Sequence, residues 1–85
     1  MSFVQVQVEA YSGYRANERP LAFVLNGRRH EVAKILDRWY EGGLTGRDQK
    51  LDYFKVQTAK GLEFILRWNP LFEAWSVMLP TGPKT

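Results

Sequence analysis

The dipeptide Asn26-Gly27, set between two apolar runs, restricts this chain more than any other stretch. Before it stands Leu21-Ala22-Phe23-Val24-Leu25; after it Arg28-Arg29-His30 leads on to Val32, Ile35, Leu36, Trp39 and Tyr40. A type I′ turn needs positive φ at both central residues, and Asn-Gly supplies it while matching the twist of two flanking strands. Residues 21–25 and 28–32 are therefore expected to pair as antiparallel strands, and the rest of the chain must fit around that hairpin.

Beyond the turn two periodicities compete. Val32, Ile35, Leu36, Trp39 and Tyr40 recur at helical spacing, with Glu31, Lys34, Asp37, Arg38 and Glu41 opposite and Gly42 placed to end such a helix. The hairpin, however, demands a strand partner for residues 21–25. A bulge shifts strand alternation by one residue and yields the same mixed pattern. Continued strand after a bulge is preferred, with a short helix at about 31–41, and hence an α+β fold, as the alternative.

The other segments read as strands. Val4, Val6, Val8 and Ala10 alternate with Gln5, Gln7 and Glu9, flanked by Phe3 and Tyr11, which marks a strand wet on one side. Residues 52–58 place Phe54 and Val56 inward, with Lys55 and Gln57 outward. After the turn Ala59-Lys60-Gly61, Leu62, Phe64, Leu66 and Trp68 share one face. Asn69-Pro70-Leu71-Phe72-Glu73 turns the chain again, and Trp75, Val77 and Leu79 point inward from the last strand. Ser12-Gly13, the polar residues 15–19 and the glycine-rich residues 42–50 read as breaks and loops, and residues 80–85 as a disordered tail.

About six short strands at hairpin spacing within 85 residues predict one all-β domain, 1–85. The expected architecture is a small antiparallel barrel or curled sheet, SH3-like or OB-like in size. Closure would hide edges that a flat sheet leaves open. The expected core is Val4, Val6, Val8, Phe23, Leu25, Val32, Leu36, Phe54, Val56, Phe64, Leu66, Trp75 and Val77. A chain this short buries only about 60–65% of the surface it exposes when unfolded, so its stability should be on the order of 5 kcal/mol.

Chemistry is sparse. With no cysteine, disulfides, thiolate metal sites and thiol nucleophiles are excluded. The single histidine, His30, reads as an outward strand residue. No serine lies in a Gly-x-Ser-x-Gly elbow, Asp48 and Asp52 do not make a metal site, and Gly42-Gly43 with Gly46-Arg47 lacks the ending of a phosphate-binding loop. The expectation is no enzyme, no cofactor and no metal. No apolar run reaches the roughly 18–20 residues that span a bilayer, and the first residues do not read as a signal peptide. The expected location is cytoplasmic, without membrane association.

What remains is a basic, aromatic surface. The net charge is +3, and residues 15–38 hold six basic side chains (Arg15, Arg19, Arg28, Arg29, Lys34, Arg38) against three acidic ones (Glu18, Glu31, Asp37). Arg28, Arg29, Lys34, Arg38, Lys55 and Arg67 are candidate phosphate contacts, with Tyr14 and Tyr53 as stacking platforms for bases. Trp39 and Tyr40 are candidates for docking a protein, because Trp, Tyr and Arg dominate binding hot spots. Nucleic acid and a protein partner both stay open.

Taken together, Pro20-x-x-Phe23-x-x-x-Gly27-Arg28, Asp52-Tyr53-Phe54-Lys55-Val56, Gly61-x-x-Phe64-x-Leu66 and Trp75 resemble a small bacterial domain family of unknown function. That family is similar to the C-terminal module of ImuB-type Y-family polymerase homologues. The resemblance runs from Pro20 to about Leu79 and departs at Leu51, where the polymerase tails tend to carry arginine. It implies a non-enzymatic binding or assembly module associated with DNA repair, whose partner is nucleic acid or a repair-complex protein. It transfers no catalytic residue.

Overall fold

The computed structural model describes residues 2–11, 19–42 and 51–79. Tyr14, Arg15, Asp48, the loop residues 12–18 and 43–50 and the tail 80–85 lie outside the described residues.

Six antiparallel strands close into a barrel in sequence order, each pairing with the next and β6 returning to β1. They are β1 (Ser2–Tyr11), β2 (Arg19–Leu25), β3 (Arg28–Glu41), β4 (Leu51–Thr58), β5 (Glu63–Asn69) and β6 (Ala74–Leu79). The Asn-Gly hairpin forms as its chemistry requires, with φ of 53° at Asn26 and 76° at Gly27. Its ladder runs from Leu25 opposite Arg28 to Ala22 opposite Glu31.

No helix occupies residues 31–41; β3 is continuous strand with two irregularities against β4. The register steps from Val32–Thr58 to Lys34–Gln57, and from Ile35–Val56 to Asp37–Lys55, leaving Ala33 and Leu36 as extra residues. Each extra residue advances the alternation by one, and this is how a strand acquires apolar positions at helical spacing. The same displacement corrects one core assignment: Leu36 is not buried but 43% exposed. Leu62 likewise precedes β5 and is exposed.

The core follows the ladder. Phe23, Phe54, Val56, Leu66, Trp75 and Val77 are buried, and Val4, Val6, Val8, Ala10, Leu25, Val32, Phe64, Trp68 and Leu79 pack around them. Rings meet at oblique angles, Phe54 5.6 Å from Trp75 and Trp75 5.3 Å from Trp68, as their quadrupoles favour.

The barrel is strongly staggered. From Val6 the register passes through Trp75, Trp68 and Asp52 to Tyr40, near the far end of β3. From the adjacent Gln7 it passes the other way through Val24 to Arg29, near the start of the same strand. Stagger of this kind tilts strands relative to the barrel axis. It also makes β3 the joining strand. Residues 28–31 pair with β2 on one edge, and residues 32–41 pair with β4 on the other.

Candidate functional site: the two halves of β3

At the start of β3 the outer face is neutralised. Arg29 donates from Nε and Nη2 to both carboxylate oxygens of Glu9 (2.8 and 3.0 Å) and from Nη1 to Glu31 (3.0 Å). The fork geometry of guanidinium suits this bidentate contact. Hydrogen bonding to Arg29 holds the Glu9 carboxyl below its ordinary value, and the two carboxylates push the guanidinium up. Ala22 stands opposite both Glu9 and Glu31 and is fully buried. Its outward methyl sits under the three charged side chains.

The inner face here corrects a second expectation. His30 points inward, not outward. It faces the buried Phe23 across the ladder, and the rings stack at 5.1 Å with 21° between planes. Phe64 lies 5.5 Å from His30 and 5.2 Å from Phe23, so the three rings form a triad. Antiparallel partners share a face, so a buried Phe23 draws His30 in with it. The sequence signal was available: counting alternation across the hairpin from Phe23 reaches His30. The imidazole borders an open cleft of about 310 Å³ lined by Arg28, Arg29, Glu31, Thr58, Lys60 and Leu62 among others.

The far half of β3 is different. Every residue from Ala33 to Glu41 is exposed, including Ile35 (37%), Leu36 (43%), Trp39 (36%) and Tyr40 (51%). Among the described residues, no strand pairs with its second edge, because the β2 ladder stops at Glu31. Among the described residues the start of β2 approaches it, across a cleft of about 160 Å³ lined by Arg19, Pro20, Leu21 and residues 32–35.

Trp39 and Tyr40 do not form one patch, since successive strand residues point to opposite faces. Trp39 lies on the outer face, stacked on Tyr53 at 5.3 Å with only 6° between planes. Tyr53 is buried (8% exposed), meets Phe3 edge-on at 6.1 Å and donates its hydroxyl to Glu41 at 2.6 Å. Burial first, and the bond to Glu41 second, push its phenol up. Tyr53 is therefore covered, and the sequence-based role as a base-stacking platform is corrected. Tyr40 is on the inner face beside Arg38, whose guanidinium lies 4.7 Å from the Phe54 ring centroid, 5.5 Å from that of Tyr40 and 3.8 Å from Asp52.

The remaining candidate cations do not converge. Lys55 pairs with Glu63 at 3.8 Å on the outer face. Arg67 stands 4.0 Å over Phe3, and its buried Nε has no acceptor among the described residues. Arg28 and Lys34 are exposed, make no ion pair among the described residues and lie in different clefts. Tyr14 lies outside the described residues. No group of three or more His, Cys, Asp or Glu side chains is placed to hold a metal among the described residues. No helix there is long and apolar enough to cross a membrane.

Comparison with known proteins finds no matching family model, curated relative or solved structure.

Proposed function

We propose that this domain is a non-enzymatic interaction module that docks a protein partner along the free edge of β3. The carrying observation is that edge itself: beyond Glu31 no described strand pairs with the second edge of β3, and Ile35, Leu36, Trp39 and Tyr40 are exposed along it. Unpaired N–H and C=O groups offer main-chain hydrogen bonds to an added strand, and the flanking side chains supply selectivity. A role without catalysis is supported by His30, whose ring packs in an aromatic triad with Phe23 and Phe64. The resemblance to the ImuB-type terminal module suggests a repair-complex protein as the partner class.

The test is affinity capture from a lysate of the source organism with the wild-type chain, Leu36→Arg and Trp39→Ala. A specific partner should be lost with both variants while their circular-dichroism spectra stay unchanged. Capture that survives both substitutions overturns docking at this edge.

Nucleic-acid binding is supported by a separate observation. The cleft at the start of β3 has Arg28 and Lys60 on its rim, exposed and free of ion pairs among the described residues. Phosphate contacts there would weaken as salt rises. Titration of labelled single- and double-stranded DNA at two salt concentrations should then show a shift that Arg28→Ala with Lys60→Ala removes. No shift at low salt ends that role.

A further inference from the structure

The edge of β3 that no described strand covers is complementary to itself in its outer positions. Residues 34–41 read Lys, Ile, Leu, Asp, Arg, Trp, Tyr, Glu. Set antiparallel against a copy about Arg38, this run brings Lys34 to Glu41 and Ile35 to Tyr40 at both ends, with the bulged pair Leu36-Asp37 facing Trp39 between them. In the outer pairs a cation thus meets an anion and an apolar group meets an apolar group. Cross-strand pairs of both kinds stabilise sheets.

The bulge makes the register possible. A two-fold axis normal to a sheet keeps each side chain on its own face, so opposed residues must share a face. In a regular strand Lys34 and Glu41 would point to opposite faces. The extra residue at Leu36 removes that conflict. Ile35, opposite Val56, and Tyr40, opposite Asp52, are both inward; Lys34, opposite Gln57, and Glu41, opposite Leu51, are both outward. The Leu36-Asp37 bulge then faces the partner's Trp39. The two Arg38 side chains meet at the axis, where each carries its own Asp52 at 3.8 Å, offsetting their repulsion. The cleft lined by Arg19, Leu21 and Lys34 borders the Lys34 end of the run.

We propose that the occupant of this edge is a second copy of the chain. The two β3 strands pair antiparallel about a two-fold axis at Arg38, with Lys34 against the partner's Glu41 and Ile35 against the partner's Tyr40. This rests on the edge-docking function above and names its partner.

The absence of native cysteine makes the test clean. Ile35→Cys and Tyr40→Cys are prepared separately, both at exposed positions. Directly opposed antiparallel residues lie about 4.5–5.5 Å apart at Cα, within disulfide range. Mild oxidation of the equimolar mixture should give a covalent dimer joining one variant to the other, in clear excess over either variant alone. Sedimentation velocity over a concentration series should show the wild-type dimer. Lys34→Glu should weaken it roughly tenfold by replacing attraction with repulsion at both ends, and Lys34→Glu with Glu41→Lys should restore it. Because Glu41 also accepts from Tyr53, the cysteine pair is the deciding measurement if the double variant is poorly folded. A monomer at every concentration overturns the proposal, and so does a dimer that forms no mixed cross-link. A monomeric chain that still loses a captured partner with Leu36→Arg removes the second copy and leaves edge docking standing. A monomeric chain whose capture survives that variant removes both.

Discussion

The two halves of β3 belong to one strand, yet they handle an exposed edge in opposite ways. In the first half, Arg29 is held between Glu9 and Glu31 on the outside, and His30 is drawn inward against Phe23. Its open side is a cleft rimmed with charge. In the second half, the open side is flanked by Ile35, Leu36, Trp39 and Tyr40. Natural sheets protect edges with charges, short strands or covering segments. The first half follows that rule. The second half carries charges and two bulges as well, but no described strand covers its second edge, and it adds four large exposed apolar side chains that edge protection alone does not call for.

The largest expected effect sets the halves apart by stability. Phe23 is fully buried beneath the first half. Phe23→Ala should cost about 3–5 kcal/mol in urea unfolding, comparable with the whole stability of a small domain. Trp39 in the second half is partly exposed and stacks on Tyr53 from outside. Trp39→Ala should cost only about 1 kcal/mol, the value of a lost aromatic pair. Equal losses would mean that the second half belongs to the core, and the contrast would fail.

Tyr53 sharpens the second half. It is covered by Trp39 and Phe3, and its hydroxyl reaches Glu41 at 2.6 Å. Tyr53→Phe should cost roughly 1–2 kcal/mol at neutral pH, because the acceptor is charged. The pH dependence has a definite sign. The folded phenol is raised above its ordinary value of 10.0, so the neutral form is favoured by folding. That contribution is complete below pH 10 and is lost as pH rises through the folded value. Alkaline unfolding monitored by circular dichroism should be shallower for Tyr53→Phe. An unchanged alkaline limb would show that the phenol is not sequestered.

The hairpin joining β2 to the first half should respond less. Gly27 has a φ of +76° and open space where a Cβ would stand. Gly27→Ala should therefore cost about 1 kcal/mol through backbone strain alone, read as a lower urea midpoint with an unchanged slope. A substantially greater loss would mean that the turn holds the closure of the barrel as well as its own geometry.

Much of the fold was legible because hairpin chemistry is local. Asn26-Gly27 announces the turn, strict alternation locates β1, β5 and β6, and the same alternation puts Phe23, Phe54, Leu66 and Val77 on the inward face that they occupy. The far half of β3 was less legible. Its two bulges leave the sequence at helical spacing, and only pairing with β4 reveals Ala33 and Leu36 as extra residues. The candidate site suffered from the same limit. Arg29, Lys55 and Arg67 look like free cations in a string of letters, but their partners Glu9, Glu63 and Phe3 come from other strands. Burial of Tyr53 depends on Phe3 and Trp39 from two further strands, a coincidence that no local pattern carries.

The smallest expected effect tests whether the first half is protected by pairing or merely by being charged. Glu9 is held below its ordinary value of 4.5 by its bond to Arg29. Because the folded value is lowered, the contribution of this carboxylate is present above pH 4.5 and fades as pH falls through the folded value. Arg29→Gln removes the cation and the fork, so the Glu9 titration midpoint followed by NMR should rise toward the ordinary carboxylate range. The thermal midpoint should fall less than with Gly27→Ala, since exposed ion pairs are screened by solvent and salt. Added salt should narrow even that difference. An unmoved Glu9 midpoint would mean that the contact is not populated in solution. Ala22 would then lie under an unprotected charged surface, and the two halves of β3 would differ only in which side chains they display.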